Sequence, residues 1–155
     1  MEKVIISDTT CLILLSNLGK LDLLQALFST VTITPEVRAE FGDPLPHWVV
    51  VESVKDQQQF ATMRLMVDEG EASAIALCLE KPGSLLIMDE RKGRKVAQDL
   101  GLITVGTLGI LLEAKKGGHI SQLRPLIEQI FQSDFRVSSD LLNTVLLLSG
   151  ESPLV

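Results

Sequence analysis

Residues 4–24 read VIISDTTCLILLSNLGKLDLL. Val4–Ser7 is uncharged and rich in β-branched residues, as a buried strand requires. Asp8 follows at once, then a Thr pair, then an apolar helix predicted over Thr10–Leu18 and stopped at Gly19. A second short helix is predicted over Leu21–Phe28, with Leu23, Leu24 and Leu27 on one face.

The same alternation runs outward from this stretch. Val31–Thr34 reads as a strand, and Pro35 opens a helix at its first position, where a missing N–H costs nothing. That helix carries Glu36 and Glu40 and ends at Gly42. Asp43–His47 is a loop and Trp48–Val51 a short strand. Gln57–Val67 has helical spacing, Gly70 reads as a break, and Glu71–Leu79 reads as an Ala-rich helix. Leu85–Met88 and Ile103–Val105 are strands around a helix over Lys92–Leu100. Helices over Leu108–Lys116, Ile120–Phe131 and Ser138–Leu148 close the chain, the last with Ser138 as N-cap. Strands alternating with helices predict an α/β fold with a parallel sheet covered on both faces.

The 155 residues point to one domain, 1–155, and the 46% hydrophobic and 22% charged content is that of a globular chain. Cys11 and Cys78 sit in apolar stretches and read as core residues. His47 and His119 stand alone, so no zinc spacing is present. The apolar run before Asp8 is too short for a signal-peptide core. Uncharged stretches such as Leu100–Leu112 fall short of the ~20 residues of a membrane span, so the expectation is a cytoplasmic protein. A net charge of −6 and a pI of about 4.9 argue against tight non-specific nucleic-acid binding. One local basic run exists: Arg91, Lys92, Arg94 and Lys95. Aromatic residues are only 4% and Tyr is absent, so no base-stacking platform is evident.

In open parallel sheets, ligands bind beyond the carboxyl ends of the strands. Asp8 and Asp89 each directly follow a predicted strand, Glu71 lies in a first helical turn, and Glu40 rides the helix after the second strand. Alone, each has an ordinary reading: a cap or turn former, a carboxylate favoured by the helix dipole, or a solvated helix residue. Together they predict four carboxylates at one crevice. Crowded like charges raise one another's pKa, and a hard divalent cation with oxygen ligands removes that penalty. Such an ion acidifies a bound water and binds a scissile phosphate. Asp8, Glu71 and Asp89 are the expected metal ligands and, with Glu40, the expected catalytic set. Thr9 or Thr10 is expected to cap the next helix or orient a carboxylate. Thr10, Arg91, Lys92 and Arg94 are the expected substrate-binding residues.

VIISDTTCLILLSNLGKLDLL resembles the opening of PIN-domain proteins: an apolar strand, Asp, a Ser/Thr pair and an apolar helix. TPEVRAEF is similar to that family's second acidic motif, placing its acid at Glu40. GEASAIAL is similar to the third, at Glu71, and LLIMDERKGRKVAQDLGLITVGTLGILLEAKKGG to the fourth and its sequel, at Asp89. The pairing of the last two resembles a prokaryotic PIN subgroup similar to VapC-type toxins. The resemblance implies a three-layer α/β/α sandwich with a Rossmann-like parallel sheet and Mg²⁺- or Mn²⁺-dependent hydrolysis of RNA. It also implies dimerisation and inhibition by a small antitoxin protein. This chain departs in carrying Glu71 where many toxins carry Asp. Glu36, one turn before Glu40, also competes for the second acidic role.

Two other readings stand beside the ribonuclease. One is a PIN fold of weak or no activity that binds protein or RNA, which the greasy C-terminal helices would suit. The other is an aspartyl-phosphatase: DTTCL is weakly similar to its nucleophile loop, but Thr10 stands where a second acid is required.

Overall fold

A computed structural model describes residues 3–154. Its centre is a sheet of five parallel strands: β1 (Ile5–Ser7), β2 (Val31–Ile33), β3 (Val49–Val51), β4 (Leu85–Ile87) and β5 (Ile103–Val105). Their order is β3-β2-β1-β4-β5. Ile6 lies opposite Thr32 and Leu86, so β1 is central and paired on both edges. The strands are short apolar runs, as expected where both faces are covered.

Alternation along the strands divides the core in two. Ile5, Val31, Ile33 and Ile87 face one layer of helices, α1 (Thr9–Asn17), α2 (Asp22–Phe28), α7 (Thr107–Lys116), α8 (Arg124–Gln132) and α9 (Ser139–Leu148). Ile6, Leu86 and Met88 face the other layer, α4 (Gln57–Arg64), α5 (Glu69–Leu79) and α6 (Arg91–Asp99). α3 (Pro35–Phe41) packs against both α1 and α5 and sends Val37 and Phe41 into the first core. Each fully buried Ile or Leu contributes roughly 1.5–3 kcal/mol. The result is the three-layer α/β/α sandwich expected from the sequence. Cys11 and Cys78 are free and buried, as their apolar surroundings predicted. Among the described residues, no single helix is long and apolar enough to cross a membrane.

Three expectations about helix ends need correction. Gly70 is not a break: it lies buried inside α5, which starts at Glu69 with Asp68 as its N-cap. Asp68 Oδ1 accepts from the Glu71 N–H at 3.0 Å, and α4 has already ended at Arg64. A glycine is needed at 70 because Glu40 crosses directly above it. The helix predicted from Ile120 begins only at Arg124. The backbone N–H groups of Leu123 and Arg124 donate to Glu151, a residue near the far end of the chain, and that contact sets where α8 starts. The helix predicted over Gln57–Val67 stops three residues early, at Arg64, and the remaining ends move by at most two residues, within normal fraying.

The chain steps from β1 outward through β2 to β3, then returns to lay β4 on the other side of β1. The direction of winding therefore reverses between β1 and β4. A crevice opens at such a switch point, beyond the carboxyl ends of the strands. Asp8 and Asp89 stand just past those two ends.

Candidate functional site

Asp8 is 1% exposed and uses both carboxylate oxygens. Oδ1 accepts from the Cys11 N–H at 3.0 Å, so Asp8 is the N-cap of α1. Oδ2 accepts from the Asp89 N–H at 2.9 Å, across the switch point. Cap and site acid are thus the same residue. Asp89 is held in turn by Thr107, whose backbone N–H donates to Oδ1 at 2.7 Å and whose hydroxyl donates to Oδ2. Gly106 precedes it, and a Cβ there would lie 3.1 Å from Asp89 Oδ1.

Glu71 is half-buried in the first turn of α5. Glu40 is exposed, yet its Oε1 accepts from Thr9 Oγ1 at 2.6 Å, and a Cβ added at Gly70 would sit 1.9 Å from it. Glu40 therefore bridges the neighbour of Asp8 and the neighbour of Glu71. It is Glu40, not Glu36, that makes this reach. Thr34, the N-cap of α3, fixes the frame: its hydroxyl meets Ser73 Oγ at 2.6 Å, and Ser73 donates to the Gly70 carbonyl.

Electrostatics register the crowding. Burial, then the Asp89 charge, pushes Asp8 up to about 7 despite the two backbone N–H groups that favour its charged form. Burial, then Asp68, Glu90 and Asp8, pushes Glu71 up to about 7. Burial raises Asp89 as well, against the Thr107 hydrogen bonds and the nearby Arg94 guanidinium. Shifts of this kind, produced by desolvation and specific charged neighbours, are concentrated at functional sites.

Among the described residues, no three His, Cys, Asp or Glu side chains converge closely enough to ligate one ion as they stand. The donor set is nonetheless of the right chemistry: carboxylate oxygens only, as a hard divalent cation takes them. Each oxygen of Asp8 carries a second lone pair beyond its backbone bond. Mg²⁺ keeps most of its waters and needs one or two direct carboxylates, which the adjoining Asp8 and Asp89 supply. The residues fit such an ion.

A family model described as DUF3368, PIN domain, matches residues 4–151. This chain belongs to that PIN-domain family. No curated protein and no solved structure matches it. The PIN domain is a nuclease fold, and in this one the acids carried by the four motifs are linked through Asp8–Asp89 contact, Thr9–Glu40 contact and the Gly70–Glu71 turn.

The expected substrate residues are placed unevenly in this PIN domain. Arg91 and Lys92 are exposed at the start of α6, Thr10 is exposed on α1, and Arg94 is half-buried beside Asp89. Lys95 points elsewhere, pairing with Asp99 at 3.0 Å. Sequence reasoning missed Asp68, Glu90 and Thr107. Asp68 was visible as an Asp three residues before a Glu at a helix start. Thr107 follows the strand beside β4 after a single glycine, Gly106, and was hidden by a helix predicted to start one residue later.

Proposed function

We propose that this PIN domain is a metal-dependent endoribonuclease that hydrolyses RNA phosphodiester bonds. The observation that carries the reading is the pairing of a buried acid, Asp8, with a part-buried one, Asp89, at the switch point, with Glu71 raised alongside them. Asp8 and Asp89 would hold Mg²⁺ or Mn²⁺, with Glu71 reaching it directly or through water. When bound, the ion supplies an acidified water and a counter-charge for the phosphate. Glu40, held by Thr9, accepts a hydrogen bond from the hydrolytic water. Thr107 keeps Asp89 from turning away. Arg91, Lys92 and Arg94 hold the backbone of the strand, and Thr10 lies beside it. Hydrolysis adds water across one P–O bond and leaves a phosphate monoester and a free hydroxyl.

The test is Mn²⁺-dependent cleavage of single-stranded RNA, with Mn²⁺ binding followed in parallel. Wild-type protein should bind the ion and cut, and Asp8→Asn should do neither. A second reading, a PIN fold of low activity acting by binding, is favoured by one observation: every Asp8 and Asp89 oxygen already has a protein donor. Metal-independent RNA binding without cleavage would establish it. The toxin role, a cytoplasmic location, an antitoxin partner and a homodimer belong to the same proposal. Asp8-dependent growth arrest on induction would support the toxin role.

A further inference from the structure

The turn between α4 and α5 leaves Leu65 87% exposed and Met66 37% exposed. Both line a cleft of about 330 Å³, together with Arg64 and with Lys92 from the start of α6. Glu71 lines the same cleft, which is therefore continuous with the acid site. The Arg64 guanidinium lies 5.4 Å from the centre of the buried Phe60 ring, which restrains it beside the cleft.

We infer that this cleft is a subsite for one nucleotide of a single-stranded RNA, adjacent to the bond that is cut. The inference rests on the ribonuclease reading and adds Arg64, Leu65, Met66, Asp68 and Glu90, which that reading does not use. The volume is at the low end for a small-molecule pocket and suits a single nucleotide. Its charge is divided. Arg64 and Lys92 attract phosphates, whereas Asp68, Glu71 and Glu90 in the same lining repel them. Phosphates are therefore drawn to Arg64 and Lys92, and the uncharged part of the nucleotide lies against the acids. Asp68 and Glu90 offer acceptors, which match a ribose hydroxyl or an exocyclic amine. Leu65 and Met66 supply the apolar surface for the base that the aromatic-poor composition otherwise lacks. Duplex RNA keeps its bases stacked, so only a single strand can present one here.

The experiment is anisotropy of a fluorescein-labelled single-stranded RNA in Ca²⁺, with RNA integrity checked on a gel. Leu65 is exposed, so Leu65→Ser should fold normally. It should weaken binding roughly fivefold while leaving an abasic oligomer of equal length unaffected. Arg64→Ala should weaken both oligomers and lower the slope of log affinity against log salt by about one. Wild-type affinity in Leu65→Ser, or an unchanged salt slope in Arg64→Ala, overturns the subsite. If these variants behave as expected but wild-type protein does not cut RNA in Mn²⁺, the subsite stands and the ribonuclease reading fails. If wild-type protein cuts and the variants bind normally, the reverse holds. No binding by wild-type protein overturns both.

Discussion

The backbone N–H of Asp89 donates to Oδ2 of Asp8 at 2.9 Å, joining two residues 81 positions apart in the chain. This bond crosses from the end of β4 to the end of β1 and locks the two acids side by side. It also explains why Asp8 can stay buried: its charge is shared between a helix N-terminus and a second backbone donor.

Thr107 acts as a positioning residue through Asp89. Thr107→Val keeps the backbone donor and removes the hydroxyl, leaving Asp89 Oδ2 without its partner. Mn²⁺ affinity and RNA cleavage should each fall roughly 10- to 100-fold. Thr107→Ser should restore both. Unchanged Mn²⁺ affinity in Thr107→Val would remove Thr107 from this role.

The metal-free protein should lose stability as pH rises from about 4 to about 7. Unfolded Asp8 and Glu71 ionise at 3.8 and 4.5, whereas folded they ionise at about 7. Between those values the folded state keeps protons that the unfolded state has released, so folding is favoured at the acid end. Glu71→Gln removes one such group. Because Glu71 is half-exposed and screened, the gain at pH 8 should be about 1 kcal/mol, or roughly 2–4 °C in Tm. Thermal melts in EDTA at pH 5 and pH 8 check this; a Tm that falls at pH 8 in Glu71→Gln contradicts it.

Gly70→Ala should separate activity from stability. The new Cβ would meet the Glu40 carboxylate, the free end of a flexible side chain, so Glu40 moves rather than the helix. Alanine is also the better helix former, by about 0.8–1 kcal/mol. Tm should therefore stay within a few degrees while RNA cleavage drops, because Glu40 leaves Thr9. Full activity in Gly70→Ala would show that the position of Glu40 is immaterial.

Glu151 should dominate the acid limb of stability. It pairs with Lys115 at 2.6 Å and accepts from the Leu123 and Arg124 N–H groups, which hold its carboxyl down at about 2 although burial opposes this. Its contribution is complete above 4.5, its unfolded value, and is lost as pH falls through about 2. Glu151→Ala leaves two helix-end donors unsatisfied and should cost about 1–3 kcal/mol at pH 7. Urea titration of both proteins at pH 7 and pH 2.5 should show the difference shrinking at the lower pH.

The α/β class, the five strands, and the acids at the ends of β1 and β4 were legible because apolar runs and strand-end carboxylates are local signals. Glu40 was legible only through its motif, since nothing in PEVRAEF separates it from Glu36. Gly70 was misread for a related reason. A glycine in a helical pattern usually marks a break, and the carboxylate that requires it comes from a different helix.

The sequence alone determined which segments become strands and helices and which acids lie at their ends. Hydrophobic period and strand-end position depend on neighbours along the chain. Only the tertiary structure decided that Asp8 meets Asp89, that Thr107 holds Asp89, that Glu40 lies over Gly70 and that Glu151 starts α8. Each of these contacts joins residues distant in sequence. The Asp8–Asp89 and Asp89–Thr107 contacts follow from the order of strands in the sheet, and those of Glu40 and Glu151 from helix packed against helix; no local pattern encodes either.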